Sequence, residues 1–207
     1  MKRNRFFLKA ILFEGGIGVV ALVLGFLFSM NLFGRVIFNF NIFMAVICFT
    51  MPLLTFYFHL RWLHFESIRV IERMIFEFYR EYMSGFAIWQ IAIISLVAGL
   101  GEELFFRGFL QAGIQELING WAKNTVDDAL FDLPTFYTAA NLFFVSILFG
   151  AAHALTKMYF FIAFLISLYL GALLLFTNNN IIIPIGVHAL YDFVVLTIVR
   201  WEVLRKQ

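Results

Sequence analysis

The stretch that decides how this chain folds is GEELFFRG, residues 101–108, which carries two adjacent carboxylates and one guanidinium. It lies within a long apolar run, because residues 88–101 and 108–114 hold no charged side chain. One charge at the centre of a membrane helix costs about 2.5–3.5 kcal/mol on insertion scales. Ionisable residues inside a membrane usually pair with one another and mark function. This stretch is therefore the first candidate for a functional site.

The composition is that of an integral membrane protein. Of 207 residues, 63% are hydrophobic and 14% are charged, whereas soluble domains average about 45–50% apolar and about 25% charged residues. The net charge of +2 gives no indication of a nucleic-acid partner, and we expect none. The single cysteine, Cys48, cannot form an internal disulfide bond, and we interpret it as a small core residue.

Six apolar segments are long enough to cross a bilayer, which takes about 20 residues. We predict these spans at residues 11–30, 42–60, 85–117, 137–155, 158–176 and 181–199. The third is too long for a plain span, so it is either one long tilted helix or a helix that breaks near Gly99 or Gly101. Residues 61–82 mix both charge signs at helical spacings, which is typical of an amphipathic helix. The predicted fold class is an all-α polytopic membrane helix bundle of about six transmembrane helices plus an amphipathic helix.

The distribution of Lys and Arg predicts the orientation in the membrane. With six spans, the basic N-terminus, residues 61–80, Lys157 and the basic tail at 200–207 fall on one side, which we expect to be cytoplasmic. Both termini are then cytoplasmic. A polar, net acidic loop at 119–134 falls on the opposite side.

The ionisable side chains embedded in the predicted spans of the C-terminal half form three clusters on three spans, with Glu116 set aside because it lies next to the polar loop. They are Glu102, Glu103 and Arg107; His153, one helical turn after Phe149; and His188 with Asp192. Glu103 precedes Arg107 by four residues, which favours an ion pair on one helix face. Glu102 is rotated by about 100° from Glu103, so it faces a different neighbour.

Glu14, in the first span, is an ionisable residue outside these clusters. It lies near a span end, so we expect it to face the headgroup region. The small residues that follow it, Gly15, Gly16 and Gly18, allow close approach of another helix.

A carboxylate and two histidines from separate helices can hydrolyse a peptide bond in two ways. Glu102 can act as a general base toward water, with His and Asp side chains holding the water and the oxyanion. Alternatively, His153, His188 and a carboxylate can bind Zn²⁺ or another divalent metal that acidifies its water. Two other classes stay open: a non-catalytic membrane immunity or binding protein, and a transporter that uses the Glu and His residues as a proton relay.

The order of the three clusters resembles that of a known family. The motifs EExxxR, FxxxH and HxxxN or HxxxD of the type II CAAX prenyl endopeptidases, also called the CPBP or Abi family of intramembrane proteases, read here as Glu102-Glu103-xxx-Arg107, Phe149-xxx-His153 and His188-xxx-Asp192. The resemblance covers about residues 95–197. It implies a catalytic core at 85–207, preceded by N-terminal helices and a cytoplasmic amphipathic segment at 1–84.

The resemblance also implies roles for these residues. Glu102 would activate water with help from His153, while His188 and Asp192 would assist with the oxyanion and with water placement. Glu103, Arg107 and Phe149 would support them. A metal held by Glu102, His153, His188 and Asp192 and a metal-free glutamate mechanism are both implied. The substrate would be a membrane-associated protein or peptide, prenylated or not, and membrane lipid the surrounding partner.

Two features of the sequence depart from this family pattern. Asp192 stands where the eukaryotic prenyl-protein proteases have Asn, and a carboxylate can fix the His188 tautomer or hold a metal. The short six-span form looks more like prokaryotic members, so we expect a prokaryotic cytoplasmic membrane.

The predicted spans place His153 about 10 Å or more from the depth of Glu102 and His188, at ~1.5 Å per residue. We therefore expect the fourth span to begin later than 137, near Leu142, or helices to tilt or break there.

Overall fold

The computed structural model describes residues 2–33, 36–125 and 133–206. Within these ranges the chain forms eight α-helices and two π-helical segments and contains no strand. They are α1 (Lys2–Leu27), α2 (Phe40–Trp62), α3 (Glu66–Phe78), π1 (Tyr79–Met83), α4 (Ile88–Glu103), π2 (Leu104–Gln111), α5 (Ala112–Thr125), α6 (Leu133–Ala152), α7 (Lys157–Phe176) and α8 (Ile182–Arg205). Six helical stretches are long and apolar enough to cross a membrane, which confirms the predicted all-α bundle.

The third membrane-crossing stretch is continuously helical. It runs over Ile88–Trp121, 34 residues, or about 51 Å at 1.5 Å per residue, against a hydrocarbon core of about 30 Å. The predicted break near Gly99 or Gly101 does not occur; instead the winding widens to π2 directly after Glu103. Of the two alternatives, the single long helix is therefore correct and the broken one is wrong. A helix of this length must tilt in the membrane or project from it.

Several predicted boundaries are wrong where polar residues continue a helix beyond the bilayer. Residues 119–125, expected to begin a loop, belong to α5, and the expected polar tail continues α8 as far as Arg205. The acidic part of that loop (Asp127, Asp128 and Asp132) lies outside the described residues. Cys48 is exposed on α2 rather than a core residue.

Close contacts at glycines fix α4 between α1 and α8. A Cβ atom at Gly99 would lie 2.9 Å from the backbone nitrogen of Ala189 on α8. A Cβ atom at Gly101 would collide with the carbonyl oxygen of Glu14 on α1, and one at Gly18 would lie 3.2 Å from the Gly101 Cα. These two glycines of α4 therefore let both neighbours approach at the level of the GEELFFRG stretch.

The amphipathic segment between the second and third spans is α3 with π1. Ile68 and Ile71 are buried, whereas its ion pairs, such as Arg73 with Glu66, are largely exposed. This confirms the predicted amphipathic helix.

Arg61, at the C-terminal end of α2, connects α2 with the middle of α3 and with the C-terminal end of α8. It forms ion pairs with Glu72 of α3 at 2.7 Å and with Glu202 of α8 at 2.8 Å. The ring of Phe6 on α1 stacks on that of Tyr82 at 5.2 Å. The basic segments at the N-terminus, at 61–80 and at the end of α8 therefore lie at one end of the bundle.

Replacing Gly101 tests the close approach of α1 and α4. Gly101→Val is expected to lower the free energy of unfolding by about 1–3 kcal/mol, because its side chain collides with backbone rather than with a mobile side chain. The measurement is the thermal unfolding midpoint in detergent. Gly16→Ala is the control, since a Cβ atom there meets nothing within 4 Å. Equal midpoints for the two variants would contradict this packing.

Candidate active site

Glu103 is the centre of a buried chain of charged groups. One carboxylate oxygen, Oε2, lies 3.0 Å from Arg107 Nε, and the other, Oε1, lies 2.8 Å from His188 Nδ1 on α8. Glu103 and Arg107 have no solvent-exposed side-chain surface, and His188 is 8% exposed. The predicted Glu103–Arg107 ion pair is present, but Glu103 does more than neutralise Arg107, because it also orients His188.

Arg107 connects these buried charged groups to α7 and to Phe149, in the second of the three sequence clusters. Its Nη2 donates to the carbonyl oxygen of Ser167 at 3.0 Å and lies 3.1 Å from the Ser167 hydroxyl oxygen. The guanidinium Cζ lies 5.1 Å from the centroid of the Phe149 ring, which is buried. The guanidinium is thus compensated by a carboxylate, a carbonyl oxygen and an aromatic face.

Glu102 points away from Glu103, as the 100° rotation between adjacent helical residues requires. Its Oε1 lies 3.8 Å from His153 Nε2. The fourth span does not begin near Leu142, because α6 begins at Leu133. The expectation of a later start is therefore wrong, and the packing of the helices brings Glu102 and His153 together with α6 beginning at Leu133.

His153 follows the last residue of α6, in the turn that leads to α7. Its Nδ1 is 2.8 Å from the Phe149 carbonyl oxygen, so this nitrogen donates and Nε2 is left as the acceptor facing Glu102. The imidazole stacks on the Phe149 ring with centroids 4.4 Å apart. Phe149 is therefore a platform that orients both His153 and Arg107.

Asp192, on α8, is a further member of the polar cluster. Its Oδ2 lies 3.5 Å from His188 Nε2, so both ring nitrogens of His188 face carboxylates. The Asp192 side chain is 31% exposed and that of His153 is 27% exposed, against 11% for Glu102. The site is therefore a polar cluster that is closed at Glu103 and Arg107 and accessible at His153 and Asp192.

Glu14 belongs to this cluster, and the expectation that it faces the headgroup region is wrong. Its carboxyl group interacts with the carboxyl groups of Asp192 and Glu102 and with the His188 imidazole. Its Oε2 atom is buried. The sequence contained the signal: a carboxylate beside Gly15, Gly16 and Gly18, which allow α4 to approach, about nine residues inside a span that begins at Arg5.

The side chains do not form a metal site as they are placed. Among the described residues, no three His, Cys, Asp or Glu side chains are grouped so that they could hold a metal ion. Both nitrogens of His188 are directed at carboxylates rather than at a point shared with Glu102 and His153. Metal binding at Glu102, His153, His188 and Asp192 stays a prediction, and no step below depends on it.

The fold and the site define a helical membrane protein whose spans bring carboxylates, an arginine and two histidines into one buried cluster. The model of the family described as Type II CAAX prenyl endopeptidase Rce1-like matches residues 84–194, more than half of the chain. The chain therefore belongs to this family of membrane proteases and is an integral membrane protein. No curated protein and no solved structure matches it. Glu14 lies outside the matched range.

Removing the Arg107 charge tests how much the buried Glu103–Arg107 ion pair contributes to stability. Arg107→Met is expected to cost about 3–5 kcal/mol of stability, because it removes one partner of a buried ion pair and leaves the Glu103 carboxylate with His188 alone. Arg73→Met is the matched control, since Arg73 pairs with Glu66 on the exposed face of α3, where ion pairs contribute about 0–1 kcal/mol. Both are measured as unfolding midpoints in detergent. Similar losses for the two variants would show that the buried pair contributes no more than a surface pair.

Proposed function

We propose that this protein is an intramembrane endopeptidase that hydrolyses a peptide bond with a water activated by Glu102. The observation that carries this proposal is the 3.8 Å separation between Glu102 Oε1 and His153 Nε2. This distance is too long for a direct hydrogen bond, and one water can bridge it. Nε2 is also the acceptor nitrogen of His153, so the two groups can hold one water by both of its hydrogen atoms.

In the proposed reaction, Glu102 takes a proton from this water as its oxygen attacks the carbonyl carbon of the substrate. The attack forms a tetrahedral intermediate with a negatively charged oxygen. When the C–N bond breaks, the proton held by Glu102 passes to the leaving amine, which restores the carboxylate. A general base of this kind contributes about 10²–10⁴-fold to the rate.

His188 is proposed to stabilise the negatively charged oxygen of the intermediate. Both ring nitrogens of His188 face carboxylates, and in the proposed reaction the ring is the positively charged imidazolium, which donates from both nitrogens. Glu103 fixes Nδ1 at 2.8 Å, whereas the contact of Nε2 with Asp192 is longer, at 3.5 Å. Nε2 is therefore the nitrogen that turns toward the substrate oxygen, with Asp192 setting its direction.

The substrate is proposed to be a membrane-associated protein or peptide, prenylated or not, that enters beside the α6–α7 turn. The exposure of His153 and Asp192 supports this side, and an open cleft of about 460 Å³ adjoins His153, lined by Ala154, Leu155, Thr156, Lys157 and Phe160. By the alternation of the helices, this turn lies at the end of the bundle that carries the basic segments. We propose that this end is cytoplasmic, with both termini, in a prokaryotic membrane.

Glu102→Gln is expected to abolish cleavage and leave the protein folded. The amide cannot accept and return a proton, so the rate should fall by about 10²–10⁴-fold. The measurement is mass spectrometry of peptides released from detergent-solubilised membranes by purified wild type and variant. Glu116→Gln is the control, because Glu116 is an exposed carboxylate farther along the same helix.

The outcomes separate the classes of function. Peptides released by wild type and by Glu116→Gln, but not by Glu102→Gln, support the protease. If wild type and Glu102→Gln release the same peptides, the protein is not a protease that uses Glu102 as its base. Flux of protons across liposomes without peptide products would favour the transporter.

Asp192→Asn distinguishes the two ways of activating water. Asn accepts a hydrogen bond from His188 but is a much poorer metal ligand than a carboxylate. If Asp192 only orients His188, the variant is expected to keep cleavage within about tenfold of wild type and to be insensitive to a chelator. Loss of activity, together with a bound metal in elemental analysis of wild type and inhibition by a chelator, would replace the metal-free route with a metal-dependent one.

A further inference from the structure

We propose that Glu14, on the first span, is a positioning residue for Glu102. Its carboxyl group forms a hydrogen bond with the Glu102 carboxyl group and holds the general base in the direction of His153. This inference rests on the proposed function, because it gives Glu14 a role only through Glu102.

The first support is the packing of α1 on α4. The Glu14 carbonyl oxygen lies where a Cβ atom of residue 101 would be, and Gly18 packs against Gly101 one turn further along α1. The backbones of the two helices are therefore in contact beside Glu102. Any side chain at position 101, Ala included, would displace α1 and with it the Glu14 carboxyl group.

The second support is the environment of the two carboxyl groups. Atom Oε2 of Glu14 and atom Oε2 of Glu102 are both buried, and neither has a hydrogen-bond partner as placed. The two carboxyl groups interact with each other, so a shared proton would satisfy both. The permanent positive charge in contact with the cluster is Arg107, and its Nε is already paired with Glu103. A hydrogen bond between two carboxyl groups needs one proton between them, which also removes one negative charge from the cluster.

The third support is that Glu102 has few other groups to fix its rotamer. Its Oε1 faces His153 at 3.8 Å, which leaves room for water but gives no direct bond. Glu103, by contrast, is held at both oxygens, by Arg107 and by His188. Glu14 supplies for Glu102 the restraint that Arg107 and His188 supply for Glu103.

The test compares Glu14→Leu with Glu14→Gln. Gln can both donate and accept a hydrogen bond at this position, whereas Leu can do neither. Glu14→Leu is expected to lower kcat by about 10–100-fold with KM within about twofold of wild type, because a misplaced base slows the chemical step. Glu14→Gln is expected to restore most of kcat. The substrate is a synthetic peptide that spans a cleavage site found in the membrane digest, and Phe13→Leu, on the exposed face of α1, is the control.

A cycle of stability measurements tests the contact without using activity. Unfolding midpoints are measured for Glu14→Leu, Glu102→Leu and the double variant. Residues in contact give non-additive effects, so the shift of the double variant is expected to differ from the sum of the two single shifts. Additive shifts would overturn the contact.

The remaining outcomes are distinguishable from failure of the protease proposal. If wild type cleaves, Glu102→Gln does not, and Glu14→Leu keeps wild-type kcat, only the role of Glu14 is overturned. Equal losses of kcat in Glu14→Gln and Glu14→Leu would likewise overturn it, since a hydrogen-bonding residue should restore a positioning role. If wild type and Glu102→Gln release the same peptides, both proposals fall.

Discussion

The site depends on how one carboxylate, Glu103, is shared between a guanidinium and an imidazole inside the bundle. Its two oxygens lie 3.0 Å from Arg107 Nε and 2.8 Å from His188 Nδ1, with no exposed side-chain surface on Glu103 or Arg107. An isolated buried charge is expensive, so each of these groups is stable only while the others are in place. Because the three residues come from α4, π2 and α8, their pairing fixes how the last helix packs on the third span. Glu102 is left to face a different set of neighbours.

Much of the fold could be predicted from the sequence, because length and hydropathy determine which segments can cross a bilayer. The six spans and the amphipathic helix follow from these rules. Helix ends could not be predicted as well, since a helix can continue through polar residues such as those at 119–125. The winding of π2 also has no simple sequence signal. The depth of His153 relative to Glu102 depends on how neighbouring helices pack, so counting residues along each span does not predict their 3.8 Å separation.

The site could be predicted in part. The four-residue spacing of Glu103 and Arg107 and of His188 and Asp192 predicts that each pair shares a helix face, and both pairs are present. The bond from Glu103 to His188 joins residues 85 positions apart, and local spacing carries no information on it. Glu14 was misplaced for a related reason: its partner lies on another span, and only the glycines on both helices indicated a close approach. Contacts between helices are decided by packing, which a single sequence encodes weakly.

The position of His188 and Asp192 on α8 means that they are synthesised after the other residues of the site. The ribosome delivers the spans in order, so Glu102, Glu103 and Arg107 enter the membrane well before the last helix is made. Glu103 and Arg107 can pair within their own helix during this interval, which lowers the cost of inserting them. The proposed oxyanion group arrives only with α8, since His188 follows Glu103 by 85 positions. A chain in which α8 has not yet been made would therefore carry Glu102 without His188 and Asp192, and the proposed site would stay incomplete until α8 enters the membrane.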